Sequence, residues 1–420
     1  MNRLLTITCL LIMAAASGFR TADARTASTA DTRESWVSSW AAAQQALAEQ
    51  SALPAESLAR ATLRQIVHLS AGGDRIRLRI SNAFGTSPLH VLTVHVAHAP
   101  APATSRIDVG SDRPVTFNQR EEVLIPEGAE YVSDPLDYPV APAFDLAITL
   151  RIEAAPLPQT GHPGSRATSY LAREASVSAA ELRGSTVEHW YFVAGVDVSG
   201  ATGTEAIVTL GDSITDGHGA TTDGNDRWPD LLAGRLQHAF SARMPGVANV
   251  GIGGNRLLTD GSGPNTLARI DRDVLARDGV RYLIVLEGIN DIGMLTLTHE
   301  ATGAQHEDLV RRIIGAYRQI TLRAHAHGMT VIGGTILPFA GSGFYHPGPA
   351  NEADRQKVNE WIRAAGHFDA VVDFDRVMAD PQHPERLRPD YDSGDHLHPS
   401  PAGYHAMADA IPLDLFRRSP

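Results

Sequence analysis

A serine, a histidine and two glycine-rich turns are the residues here whose types and spacing can do chemistry. Ser213 stands in Ile207-Val208-Thr209-Leu210-Gly211-Asp212-Ser213-Ile214, an apolar run entering a tight glycine turn. A strand ending this way can hold a side-chain oxygen at the carboxyl edge of an α/β sheet, where ligands bind. Gly-Asp-Ser alone is equally an ordinary turn sequence. Asp395-His396-Leu397-His398-Pro399 supplies the partners. A carboxylate three residues before an imidazole in one loop can fix its tautomer. His398 can then act as base toward Ser213 and Asp395 can orient it, which is what nucleophilic acyl transfer requires.

Acyl transfer also needs donors for a tetrahedral oxyanion. In Asn249-Val250-Gly251-Ile252-Gly253-Gly254-Asn255-Arg256, backbone amides can approach a ligand without Cβ hindrance. The pattern is not the dinucleotide fingerprint. Gly288-Ile289-Asn290-Asp291 follows an apolar strand, so Asn290 is expected at a strand's carboxyl end, although Asn-Asp is also a plain turn. The amides of Ser213 and Gly254 and the side-chain NH₂ of Asn290 can point to one place. The competing reading is a metal site, since His396, His398 and His405 are close in sequence. No fourth ligand is evident, so neither metal nor cofactor is expected.

Other residues remain open. Arg256 could clamp a substrate oxygen or pair with Asp260. The loop 338–350 carries Phe339, Phe344 and Tyr345. Phe344 and Tyr345 are candidates for substrate contact, or members of a structural crossover loop. Trp36, Trp40, Trp228 and Trp361 read as core or interface residues. His162 could reach the site from the first half of the chain.

These residues need elements to position them. From 204 onward, apolar strands alternate with helical periods: strands over 206–210, 282–286, 330–336 and 370–374, and helices over 228–242, 307–327, 352–365 and from 402. Leu309, Ile313, Ala316, Ile320 and Ala324 form one helical face, and Gly328 is placed to cap it. The alternation implies a parallel sheet with helices on both faces. From 35 to 203 the period is near two. Arg75, Arg77 and Arg79 alternate with Ile76, Leu78 and Ile80, a strand with one buried face. Residues 64–69 and 75–80, joined by Ala71-Gly72-Gly73-Asp74, read as a hairpin. With further strands over 91–97, 121–125, 144–152 and 188–198, this half is expected to be an antiparallel β-sandwich.

The four blocks, in this order, resemble the SGNH/GDSL hydrolase family, in which Ser, Gly, Asn and His blocks carry the site. Here they are Gly211-Asp212-Ser213, Gly254, Gly288-Ile289-Asn290-Asp291 and Asp395-x-x-His398. The usual Leu after the serine is Ile214. The resemblance runs from about Ala206 to the C-terminus. It implies a three-layer α/β/α, flavodoxin-like domain, with Ser213, Asp395 and His398 as the catalytic triad and Ser213, Gly254 and Asn290 as the oxyanion hole. The β half resembles an accessory sandwich of secreted bacterial members.

Composition bounds the rest. Met1-Asn2-Arg3, an apolar run to Gly18 and Ala22-Asp23-Ala24 read as a secretory signal cleaved near Ala24. The expected order is signal 1–24, linker 25–34, sandwich 35–203 and hydrolase 204–420. Cys9, the only cysteine, falls in the signal, so disulfides, thiolate catalysis and cysteine zinc sites are excluded from the mature chain. A net charge of −12 without basic blocks argues against nucleic acid and anionic membranes. No later stretch is long and apolar enough for stable membrane insertion. The expected protein is a secreted or periplasmic serine esterase, cleaving short acyl esters, acetyl above all, on carbohydrates. A lipolytic or aryl esterase is the alternative. A non-catalytic glycan-binding protein is a third reading, which the complete set of site residues disfavours.

Overall fold

Two kinds of sheet divide the chain. The computed structural model describes residues 34–58, 60–199, 204–240 and 244–417. The expected signal, its cleavage point near Ala24 and nearly all of the 25–34 linker lie outside the described residues. Residues from Ser35 onward pack as one compact unit.

Antiparallel strands from Trp36 to Ser199 form a β-sandwich. One sheet runs in the order Trp36–Ala41, Val193–Ser199, Gly73–Ser81, Glu130–Val132, with Leu136–Val140 also paired to Gly73–Ser81. The other centres on Ala61–Leu69, Phe144–Ala154 and Leu89–His98. Ile76, Leu78 and Ile80 are fully buried between the sheets, as the alternation requires. The opposite face of that strand is open to solvent only at Arg75, which pairs with the exposed Asp137. Arg77 and Arg79 donate to Asp197 at 3.2 and 2.9 Å and also reach Asp278, in the second half of the chain. The polar stripe is therefore a docking face.

The expected hairpin of 64–69 with 75–80 is not formed. Ala61–Leu69 pairs with Phe144–Ala154 and Ser169–Arg173, whereas Gly73–Ser81 pairs with Val193–Ser199 in the other sheet. The 70–73 turn crosses between sheets under close backbone packing. A Cβ on Gly72 would lie 2.5 Å from the Val140 carbonyl oxygen, and one on Gly73 2.4 Å from that of Ser199. Period two reports that each strand has a buried face. It carries no information about the pairing partner.

From Ala206 the sheet is parallel, ordered Gly246–Gly251, Ala206–Gly211, Val280–Leu286, Thr330–Gly334, Ala370–Val372. Helices separate these strands, as the expected three-layer α/β/α order requires. The register sets Gly211 opposite both Gly251 and Leu286. Whatever follows those three residues must emerge side by side at the carboxyl edge.

Several elements differ from the sequence expectation; the expected strand over 188–198, for one, is divided into Trp190–Tyr191 and Val193–Ser199. Gly246–Gly251 is a strand, although its sequence reads as part of a turn, because Gly and Asn weaken a strand signal. A Cβ on Gly246 would lie 2.3 Å from the Ser38 carbonyl oxygen, so the glycine serves the packing of the two halves. The helix Gly303–Ala326 starts before 307, at a Thr302/Gln305 capping box. Its expected inner face is buried, and Gly328 takes φ +71° just beyond it. Asn290 lies in the first turn of a helix, Ile289–Thr296, and not in a simple turn. No helix among the described residues is long and apolar enough to cross a membrane.

Candidate active site

The turn after Ala206–Gly211 admits only glycine at its hinge. A Cβ on Gly211 would lie 2.2 Å from Thr215 Oγ1 and 2.5 Å from the Leu286 carbonyl oxygen. Asp212, in extended conformation, accepts the Ile214 N–H at 2.9 Å and starts a one-turn helix, Ser213–Asp216. Ser213 is thereby the first helical residue, and its side chain is held at the sheet edge.

The loop before helix Pro401–Asp409 brings the partners across. Ser213 Oγ lies 2.8 Å from His398 Nε2, and His398 Nδ1 lies 2.6 Å from Asp395 Oδ2. The second oxygen of Asp395 accepts the N–H groups of His398 and Leu397 at 2.8 and 2.9 Å. A carboxylate that accepts here puts the imidazole proton on Nδ1 and leaves the Nε2 lone pair for the serine hydroxyl. Burial opposes ionisation of Asp395. The His398 hydrogen bond and the two backbone donors outweigh it and hold the carboxyl well below its usual range.

On the other side stand the expected oxyanion donors. Gly254 turns at φ +72°, a left-handed conformation that suits glycine. Among the described residues, no protein acceptor takes the amides of Ser213 or Gly254. Asn290 Nδ2 donates to the Asn255 carbonyl at 2.8 Å, and Asn290 Oδ1 accepts from the Tyr345 hydroxyl at 2.6 Å. A carbonyl can only accept, so the amide orientation is fixed. One N–H of the NH₂ group remains uncommitted. Asp291 accepts the amides of Leu257 and Leu258 at 2.8 and 3.1 Å, tying this helix to the glycine-rich loop.

Two open clefts meet at Ser213. One, of about 600 Å³, is lined by Asn290, Gly254, the 341–345 loop and the 394–398 loop. Phe344 is 62% exposed at its rim. Tyr345 also lines it but is buried, its ring so close to Gly293 that a Cβ there would lie 2.4 Å from the ring. Its hydroxyl serves Asn290. The second cleft, of about 380 Å³, is walled by the sandwich through Gln45, Gln50, Ser51 and Arg166, with Ser262 opposite. Arg256 lines neither cleft. It donates to the main-chain carbonyl of Asp260, not to its carboxylate.

Sequence reasoning missed His218 and Arg166. His218 packs against His398 with ring centroids 4.0 Å apart and the planes tilted by 38°, and its Nδ1 accepts from the Arg166 guanidinium at 2.8 Å. Burial, with the charges of His398 and Arg166, pushes its pKa down to about 4. No local pattern announces either residue, because they arrive from different halves of the chain. His162 also arrives from the sandwich, at Asp216.

As for a metal, His396 bonds Asp392 and His405 is exposed on its helix. The donor atoms that do converge, within 4.8 Å, belong to His218, Asp395 and His398. They are committed to one another, to Ser213 and to Arg166. A guanidinium beside His218 opposes a cation there.

Residues 207–411 match the GDSL-like lipase/acylhydrolase family. They make up a domain of that family, and the chain is accordingly a carboxylic ester hydrolase. No curated protein matches the chain. Among solved structures, a GDSL-like lipase from Bacteroides thetaiotaomicron is similar at 21% identity, over 49% of this chain and 85% of its own, with a TM-score of 0.36. An acetylxylan esterase from Geobacillus stearothermophilus is similar at 21% identity, over 50% of this chain and 93% of its own, with a TM-score of 0.36.

Beneath the site lies a cluster of buried acids. Burial first, then the charges of Asp291 and Asp216, pushes Asp212 from 3.8 up to about 7. Burial likewise raises Asp291 to about 6 and Glu287 well above its usual range. For Asp212 the protonated fold is favoured, so that stabilisation is fully present below pH 3.8 and lost as pH rises through about 7. Asp212→Asn keeps an oxygen for the Ile214 N–H and removes the titration. The variant should match the parent in Tm near pH 4 and exceed it at pH 8. A Tm difference that does not change with pH would show that Asp212 does not titrate in this range.

Proposed function

We propose that the protein is an exported serine esterase that removes short acyl groups, acetyl foremost, from carbohydrates. The observation that carries the mechanism is the continuous Asp395–His398–Ser213 hydrogen-bond chain, facing two unclaimed amides and one free N–H of Asn290. Ser213 Oγ attacks the ester carbonyl carbon and its proton passes to His398 Nε2. Asp395 stabilises the imidazolium. The carbonyl oxygen takes the negative charge and is held by the Ser213 and Gly254 amides and Asn290 Nδ2. Collapse breaks the ester bond, and the alcohol leaves with the proton from Nε2. Water, deprotonated by His398, then attacks the acyl-serine. The acid leaves and Ser213 regains its proton.

The substrate class rests on the walls. A polar cleft of Gln45, Gln50, Ser51, Arg166 and Ser262 suits a hydroxyl-rich alcohol, and an exposed Phe344 offers a face for a sugar ring. The apolar rim of Phe344, Tyr345 and Leu397 favours an aryl or lipolytic esterase as the second reading.

Ser213→Ala should abolish ester hydrolysis and labelling by a fluorophosphonate probe while leaving Tm unchanged. Full activity in that variant would overturn the nucleophile assignment. A panel of acetylated oligosaccharides against aryl esters of rising acyl length decides the substrate. Acetylated glycans should give the highest kcat/KM, and a preference for long acyl chains would replace the carbohydrate reading with the lipolytic one.

Asn290→Ala should lower kcat by about 10²–10³ with little change in KM, because the charge it meets builds only in the transition state. Tyr345→Phe keeps the ring against Gly293 and removes the bond that orients Asn290. It should cost kcat up to about tenfold. A lower Tm with kcat per folded molecule intact would reduce both residues to structural roles.

Export rests on the N-terminal signal pattern. Mass spectrometry of the protein recovered from outside the cytoplasm should place its first residue at Arg25. Retention of Met1 there would refute cleavage.

A further inference from the structure

The strand Thr160–His162 and the Pro163-Gly164 turn press the sandwich against the short helix that begins at Ser213. His162 is 3% exposed. Its Nδ1 lies 2.8 Å from the Ala43 carbonyl oxygen and its Nε2 lies 2.8 Å from Asp216 Oδ1. The Ala43 carbonyl can only accept, so Nδ1 carries a proton; with Asp216 as acceptor Nε2 carries one as well, which makes an imidazolium paired with a carboxylate. Burial opposes that charge, but Asp216 and the Ala43 carbonyl more than offset it, and the His162 pKa is raised. Trp190 stacks on the ring with centroids 5.8 Å apart. Arg227 is the other charge that His162 feels, and it disfavours the imidazolium.

The far oxygen of Asp216 continues the chain. Oδ2 accepts the Gly253 N–H at 3.0 Å. Gly253 immediately precedes Gly254, whose amide is one of the proposed oxyanion donors. The carboxylate is closely packed on the Gly164 side, and the Asp216 backbone on the Gly251 side. A Cβ on Gly164 would lie 2.0 Å from Asp216 Oδ2, and one on Gly251 would lie 2.4 Å from the Asp216 nitrogen.

We propose that His162, a residue of the sandwich, is a positioning residue for ester hydrolysis: acting through Asp216, it sets the Gly253–Gly254 backbone and so aims the Gly254 amide at the oxyanion. On this account the sandwich completes the oxyanion hole. It is more than an accessory carried beside the enzyme. The inference rests on Gly254 being an oxyanion donor, as proposed above.

The test uses the full-length protein and compares His162→Gln, Gly164→Ala, Ser213→Ala and Asn290→Ala with the parent. In His162→Gln the neutral amide cannot bridge two acceptors as a cation. Gly164→Ala leaves the His162 side chain unchanged and presses on the Asp216 carboxyl group, whose Oδ2, Cγ and Oδ1 would lie 2.0, 2.7 and 2.9 Å from the added Cβ, so it carries the test if His162→Gln does not fold. For the parent and the variants that keep Ser213, kcat and KM are measured on an acetyl ester, together with Ki for an alkylboronic acid, whose adduct on Ser213 imitates the tetrahedral oxyanion; Ser213→Ala is assayed for residual hydrolysis only. The expected result for the two sandwich variants is a loss in kcat of at least about tenfold, a matching rise in Ki, and KM within about twofold. A purely structural role would not move Ki and kcat together at constant KM. If Asn290→Ala loses activity but both sandwich variants keep kcat within about twofold, the inference is overturned and the oxyanion-hole reading survives. If Ser213→Ala retains activity, the underlying reading fails first.

Discussion

The fully buried guanidinium of Arg269 is the constraint on which the rest of the site depends. It donates to the Val250 carbonyl at 2.7 Å, to the Gly211 carbonyl at 3.0 Å and to Asn255 Oδ1 at 2.9 Å. Two of these acceptors lie at the ends of adjacent parallel strands, and the Gly211 carbonyl also accepts the Ile252 N–H at 3.0 Å. The third belongs to the loop whose own carbonyl orients Asn290. One planar cation thus gathers the strand that leads to Ser213, the strand that leads to Gly254, and the support of Asn290. Lysine carries its three donors on a single nitrogen and could not reach acceptors met here by Nε, Nη1 and Nη2 separately. The same charge tempers the burial cost of Asp212 and Glu287, which crowd beneath the site.

Triad and oxyanion side are built on different principles. The Asp395–His398 loop is close to solvent, and Asp395 is stabilised as an anion by its own loop's amides. On the proposed oxyanion side the donors are the backbone amides of Ser213 and Gly254 with the side-chain NH₂ of Asn290. A second support for this side comes from outside the α/β half, through the His162–Asp216 pair and the Arg77 and Arg79 contacts to Asp278. Those contacts make Ser35 onward one unit despite its two sheet types.

How much of this was legible in the sequence follows from what each signal measures. The parallel sheet and the four site blocks could be read because buried strands are continuous apolar runs and their exits need glycine, as Gly211 and Gly254 do. The strand Gly246–Gly251 could not, since its glycines answer to neighbours distant in sequence. Alternation at 75–80 correctly gave a buried face. It gave no hint that Arg79 would be buried on the other side, nor that the preceding strand would join a different sheet. Tyr345, His218 and Arg166 act through contacts that span 52 to 55 residues or join the two halves, and no local pattern encodes such distances.

The two clefts differ from the floor between them in how freely they can change. The floor is locked by backbone bonds that tolerate almost no substitution. The walls at 45–51 and 341–345 belong to loops whose exposed side chains, such as Phe344, leave that lock untouched. Mutations there can redirect what is cleaved while the bond-breaking apparatus stays constant. A scaffold divided in this way can drift from one ester to another by small steps, each of which remains an active enzyme.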